Sequence, residues 1–134
     1  MCSSDLATTT APTNVETDTL VNIIGVGSRS TDTNLQVLYN DATGTATAVD
    51  LGVNFPANGL SSDTYELTLY CSPNDSAVNY RVENQQNSTV STGTINTNLP
   101  ASTTLLGFQA YRSNNATALA VGIDLVSLYV ETNY

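Results

Sequence analysis

The chain predicts an all-β fold, an antiparallel β-sandwich of jelly-roll type, and three observations carry that reading. Apolar and polar residues alternate with a period of two through much of the sequence, the pattern of strands with one dry and one wet face. Turn-forming residues recur at the roughly eight- to twelve-residue spacing of sandwich strands. Charged residues make up only 11% of the chain against a usual ~25%, and Thr, Ser and Asn take their place. Thr is β-branched and suits a pleated surface, whereas long solvated helices draw on Glu, Lys, Arg and Ala. With 134 residues, 40% of them apolar, the chain fits one domain with a single thin core.

The elements follow in order. Cys2-Ser3-Ser4-Asp5-Leu6 is the translation of a common sequencing adapter in one frame. Residues 1–6 are therefore expected to be a leader foreign to the native protein, whose own chain continues upstream. Residues 7–20 form a loop or arm, rich in Thr and Ala, closing on one helical turn from Thr17 with Asp18 near its start. The sandwich domain occupies 21–134. Its first strand, 22–27, contains Gly25 and Gly27, which imply close packing or a bulge. In 35–40, Leu35, Val37 and Tyr39 share a face, and the turn Asp41-Ala42-Thr43-Gly44 folds this strand onto 45–51. A loop spans 56–62.

The clearest strand is 65–71, in which Tyr65, Leu67, Leu69 and Cys71 alternate with Glu66, Thr68 and Tyr70. After a turn at 72–76, residues 78–84 repeat the pattern, with Val78, Tyr80 and Val82 inward and Asn79, Arg81 and Glu83 outward. Residues 85–87 turn into 88–96, where Val90 and Ile95 have opposite parity and predict a bulge near Gly93. Leu99-Pro100-Ala101 breaks that strand. Leu106, Phe108 and Ala110 form the next face, Asn114-Asn115 turns, and 120–132 is apolar on both parities. A strand of that last kind lies inside a sheet between two partners, and missing upstream sequence would leave it with an open edge.

The charge balance excludes some partners. The net charge is −9, and the cations are Arg29, Arg81 and Arg112, with no lysine. Nucleic-acid binding needs a basic face that releases counterions, and anionic membrane surfaces make the same demand. No apolar run approaches the ~20 residues of a membrane span. The start of the sequence lacks the basic and apolar parts of a secretory signal, so the sequons at Asn74, Asn87 and Asn115 carry little weight. Cys2 and Cys71 are not expected to pair, and Cys71 reads as a buried free thiol.

The reactive inventory is short. Without histidine there is no His-based acid–base pair, Ser-His-Asp triad or His metal site. Gly25-Val26-Gly27-Ser28 lacks the helix that phosphate loops require. Glu66, Glu83, Asp124 and Glu131 are the carboxylates a sandwich glycosidase would use, but their parities give no tight pair. Asn40 with Asp41, or Asn74 with Asp75, offers oxygen ligands for calcium, although Asx residues in turns more often cap their own backbone. Neither a cofactor nor a metal is expected. Of Tyr39, Tyr70, Tyr80, Tyr111 and Tyr134, only Tyr70 has clear outward parity. Tyr70, with Glu66 on the same face, is the candidate contact for a surface glycan.

Several runs resemble a family of tailed-bacteriophage virion proteins. They include Asn34-Leu35-Gln36-Val37-Leu38-Tyr39-Asn40-Asp41-Ala42-Thr43-Gly44, Val49-Asp50-Leu51-Gly52-Val53-Asn54-Phe55-Pro56 and Tyr65-Glu66-Leu67-Thr68-Leu69-Tyr70. Tyr80-Arg81-Val82-Glu83, Leu99-Pro100-Ala101-Ser102 and the ending Leu128-Tyr129-Val130-Glu131-Thr132 continue the likeness, which covers 13–134. The resemblance implies a concanavalin A-like jelly roll, of which this chain is the C-terminal part, in a tail fibre or other appendage of the virion. It supplies no catalytic motif. It implies other virion proteins as partners, assembly into a homo-oligomer, and contact with host-surface carbohydrate. The competing expectation is a free carbohydrate-binding module of a lectin-like sandwich; a glycosidase remnant ranks behind both.

Overall fold

A computed structural model describes residues 2–7, 16–57, 63–113 and 122–131. Eight strands form two antiparallel sheets: β1 (Cys2–Ala7), β2 (Ile23–Gly27), β3 (Gln36–Asn40), β4 (Thr47–Asp50), β5 (Tyr65–Tyr70), β6 (Val78–Asn84), β7 (Thr89–Ile95) and β8 (Gly107–Arg112). The larger sheet has the order β4-β3-β2-β1-β8 and the smaller the order β5-β6-β7. A single 3-10 turn, Thr17–Thr19, is the helical content of the described residues, matching the turn expected there.

The period of two does its work where one face is dry. Ile24 and Val26 of β2, Val37 of β3, and Tyr80 and Val82 of β6 meet in one buried cluster with Leu35, Leu51, Phe55 and Ile95. Side chains from both sheets thus share one core, the arrangement of a sandwich. The opposite face of the larger sheet carries a second, smaller cluster of Ile23, Leu38 and Ala46, packed by Leu20 and Ala48. The 3-10 turn brings Leu20 there, and the Ala46 amide donates to the Asp18 carbonyl at 2.8 Å. Asn40, fully buried, donates its amide to the Leu20 carbonyl at 2.8 Å. Covered on both sides, β2 is buried at every position.

The turn chemistry follows the sequence. The Asp41 carboxylate accepts from the Thr43 amide at 2.8 Å, and Gly44 takes a φ of 75°, which closes the β3–β4 hairpin. Residues 51–57 cross between the sheets. The Leu35 amide donates to Phe55 and the Ala57 amide to Thr33. Phe55, 1% exposed, stacks on Tyr65 with ring centroids 6.4 Å apart. The Asn54 carbonyl accepts from Asn84 at 2.7 Å and from Asn87 at 3.3 Å. In the loop after β2, Arg29 bridges Asp32 at 2.8 Å and Asp18 at 3.6 Å, and the Asp32 carboxylate raises the pKa of its guanidinium.

Residues 2–7, which span the expected leader 1–6 and the first residue of the expected arm 7–20, form a strand paired with both β2 and β8. A ladder uses backbone N–H and C=O groups, so a polar stretch can occupy it without a side-chain signal. Four other expectations are corrected. The bulge near Gly93 is absent: β6 and β7 pair in unbroken register from Val78↔Ile95 to Asn84↔Thr89, and Val90 simply faces outward. Cys71 is exposed, because β5 ends at Tyr70 and the chain turns before parity can carry the thiol inward. In β8 the buried residue is Tyr111 and Ala110 is exposed; no β8 side chain joins the core shared by the two sheets, so that core does not set its parity. Finally, among the described residues, 122–131 joins no ladder, although 120–132 reads as an internal strand. The expected turn at Asn114-Asn115 lies outside the described residues, as do 8–15 and 58–62.

Candidate functional site on the outer face of the small sheet

The outward residues of β5, β6 and β7 form three cross-strand rows. Register places Glu66 beside Glu83 and Val90, Thr68 beside Arg81 and Thr92, and Tyr70 beside Asn79 and Thr94. Alternation puts all nine on one side because their neighbours in sequence are drawn to the core. The four-residue turn 85–88 fixes the β6–β7 register: the Asn84 side chain accepts from the Gln86 amide at 3.0 Å, and Ser88 takes a φ of 56°.

Arg81 stands at the centre. Its Nη2 donates to Glu83 Oε2, and its Nη1 lies 4.0 Å from Glu66 Oε1. Glu66 Oε2 also accepts from Gln85 Nε2 at 3.1 Å. Two carboxylates in direct cross-strand register would repel one another, and the guanidinium between them relieves this. The groups are half-exposed, so the ion pairs orient side chains more than they stabilise the fold. In the outer row, the Thr94 hydroxyl donates to Asn79 Oδ1 at 2.7 Å. Tyr70, 57% exposed, presents its ring at the edge of the sheet.

Tyr70 and Glu66, the residues singled out from the sequence, are therefore on one strand and one face but do not converge. They stand four residue steps apart along the strand, about 13 Å. Arg81 is the member that sequence parity placed outward without showing its role, since its position between two carboxylates depends on register. Of the other tyrosines, Tyr80 and Tyr111 are buried and Tyr39 is half-buried. The turn carboxylates act as caps: Asp75 Oδ1 accepts from the Ser76 and Ala77 amides at 2.7 and 3.1 Å, and Asp41 Oδ1 from Thr43. Asp124 and Glu131 lie in the exposed segment, where Glu131 accepts the Tyr129 hydroxyl at 2.7 Å and raises its pKa.

A cleft of about 680 Å³ opens at one end of the sheets, where Cys71, Asn74, Asp75 and Ser76 face Leu99, Pro100, Thr104 and Leu106. The Cys71 thiol lies 3.5 Å from the Ser72 carbonyl oxygen and 3.8 Å from that of Asp75. Among the described residues of the wall the carboxylate is Asp75, which is engaged by backbone amides. Among the described residues, no three of His, Cys, Asp and Glu group as metal ligands, and no helix is long and apolar enough to cross a membrane. Compared with known protein families, curated proteins and solved structures, the chain matches none.

Proposed function

We propose that the chain is a structural and host-contact module of a bacteriophage virion, part of a tail fibre or other appendage and without enzymatic activity. Its sandwich is read as a jelly roll of concanavalin A-like outline. The virion role rests on the resemblance of the sequence, and the observation that carries host contact is the outer face of the small sheet. One exposed tyrosine there borders a lattice of hydroxyl, amide and paired charged groups, which is near-neutral and suited to many weak contacts with a neutral glycan. A tyrosine ring offers an apolar surface to a sugar face, and Thr, Asn and Arg groups beside it can hydrogen-bond hydroxyls. Each contact is weak, so repetition in a homo-oligomer bearing other virion proteins would supply avidity.

Two measurements test this together. Purified particles are labelled with an antibody to the segment, and the protein is applied to a glycan array as wild type and as Tyr70→Ala. Labelled appendages and array binding lost in Tyr70→Ala support the proposal. Absence from the particle removes the virion role, and in that case Tyr70-dependent binding by a monomer identifies a free carbohydrate-binding module.

A further inference from the structure

The larger sheet has a slot between β2 and β8, filled by residues 2–7, while the exposed apolar segment 122–131 joins no ladder and begins beside it. We propose that this slot is taken by the chain's own residues 122–131, which displace 2–7 and complete the sheet as its fourth strand in spatial order.

Direction is the first argument. β1 runs antiparallel to both β2 and β8, so any strand in the slot must start beside Arg112 and end beside Gly107. A segment that follows β8 in sequence and pairs antiparallel with it has that polarity. Position is the second. Arg112 Nη1 donates to the Gly122 carbonyl at 3.4 Å, so the segment begins at the end of the slot where it would have to enter. The ten residues 122–131 exceed the six rungs from Cys2↔Arg112 to Ala7↔Gly107.

Composition is the third argument. Ile123, Leu125, Val126, Leu128, Tyr129 and Val130 are all exposed, Val126 to 85%. They fall on both parities, as in a strand with partners on both edges and cover on both faces. The slot's neighbour β2 is buried at every position, so the sheet is covered on both faces there. The sequence Cys-Ser-Ser-Asp-Leu-Ala, with its serines and aspartate, has weak strand propensity by comparison. The competition is between a polar strand and an apolar one for the same backbone groups.

Hydrogen exchange on the full 134-residue chain, read by segment, tests the assignment. The expected result is that amides of 122–131 exchange at least ~100-fold more slowly than those of 2–7 in a monomer. The reverse order, equal protection of both segments, or no protection of either overturns the proposal. Protection of 122–131 that appears only with a dimer on a sizing column also overturns it, in favour of strand exchange with a second copy. Val126→Pro removes a ladder donor and is expected to transfer protection to 2–7. Continued protection of β5–β7 shows that this variant is folded. In that folded variant, an unchanged pattern at 2–7 and 122–131 refutes the assignment.

Discussion

Gly93 is the position where a single methyl group should matter most for its size. It pairs directly with Tyr80, and the ring of Tyr80 lies across it. A Cβ at Gly93 would sit 2.5 Å from the Tyr80 hydroxyl oxygen and 2.6 Å from Cε1 and Cζ, whereas carbon contacts settle at about 3.5–4.0 Å. The ring would therefore have to retreat by about 1 Å. Tyr80 is buried within the core cluster beside Val82 and Ile95, which leaves it no free direction. Overpacking of this kind costs about 1–3 kcal/mol, and the reduced freedom of the unfolded chain returns about 0.4–1 kcal/mol. Gly93→Ala should thus lose about 1–2 kcal/mol, seen as a Tm lower by roughly 3–10 °C. The urea m value should not change. Tyr80→Leu removes the three atoms in conflict, so in that background Gly93→Ala should cost nothing, a coupling of about 1–2 kcal/mol. Wild-type stability for Gly93→Ala, or strict additivity with Tyr80→Leu, would refute the account.

Other outcomes follow from the same structure. Phe55→Ala should lose about 3–5 kcal/mol in urea unfolding, because it empties the centre of the shared core. Asp50 accepts the Gly52 amide at 2.7 Å and also the Asn34 amide, which holds its pKa below the ordinary aspartate value. A folded pKa below the unfolded one gives stability that is present above about pH 4 and lost as pH falls through the folded value. Asp50→Asn should therefore lower stability at neutral pH and flatten the acid limb of the stability–pH curve below about pH 4, where wild type and variant converge. Arg81→Ala leaves Glu66 and Glu83 facing each other. Its cost, within about 1 kcal/mol, should shrink as sodium chloride is raised, since salt screens the exposed repulsion.

What the sequence revealed depended on whether a side chain had to choose a face. β5 and β6 were legible residue by residue, because each has one wet and one dry side. The outward parity of Tyr70 and Glu66 came with that reading. β7 was harder: Gly93 has no side chain to announce that it faces inward, so Val90 looked like evidence for a bulge. The Glu66–Arg81–Glu83 contact depends on the β5–β6 register, which the connection 71–77 decides and composition does not. Cys71 followed the alternation on paper but stands one residue beyond the strand that would have enforced it. Pairing by 2–7 was invisible because backbone groups alone make it. The opposite failure, apolar residues at 122–131 outside any ladder, shows that hydrophobicity states a need for burial without stating where it is met.

The crossing of residues 51–57 also has a mechanical consequence. Phe55 is wedged in the shared core while the Asn54 carbonyl is gripped by Asn84 of the small sheet and Asn87 of the turn beyond it, and the Leu35 amide holds Phe55 beside the large one. Sliding one sheet over the other would pull this rivet out and break bonds to both layers at once. Shear should therefore be resisted up to a sharp yield point, with little gradual creep before it.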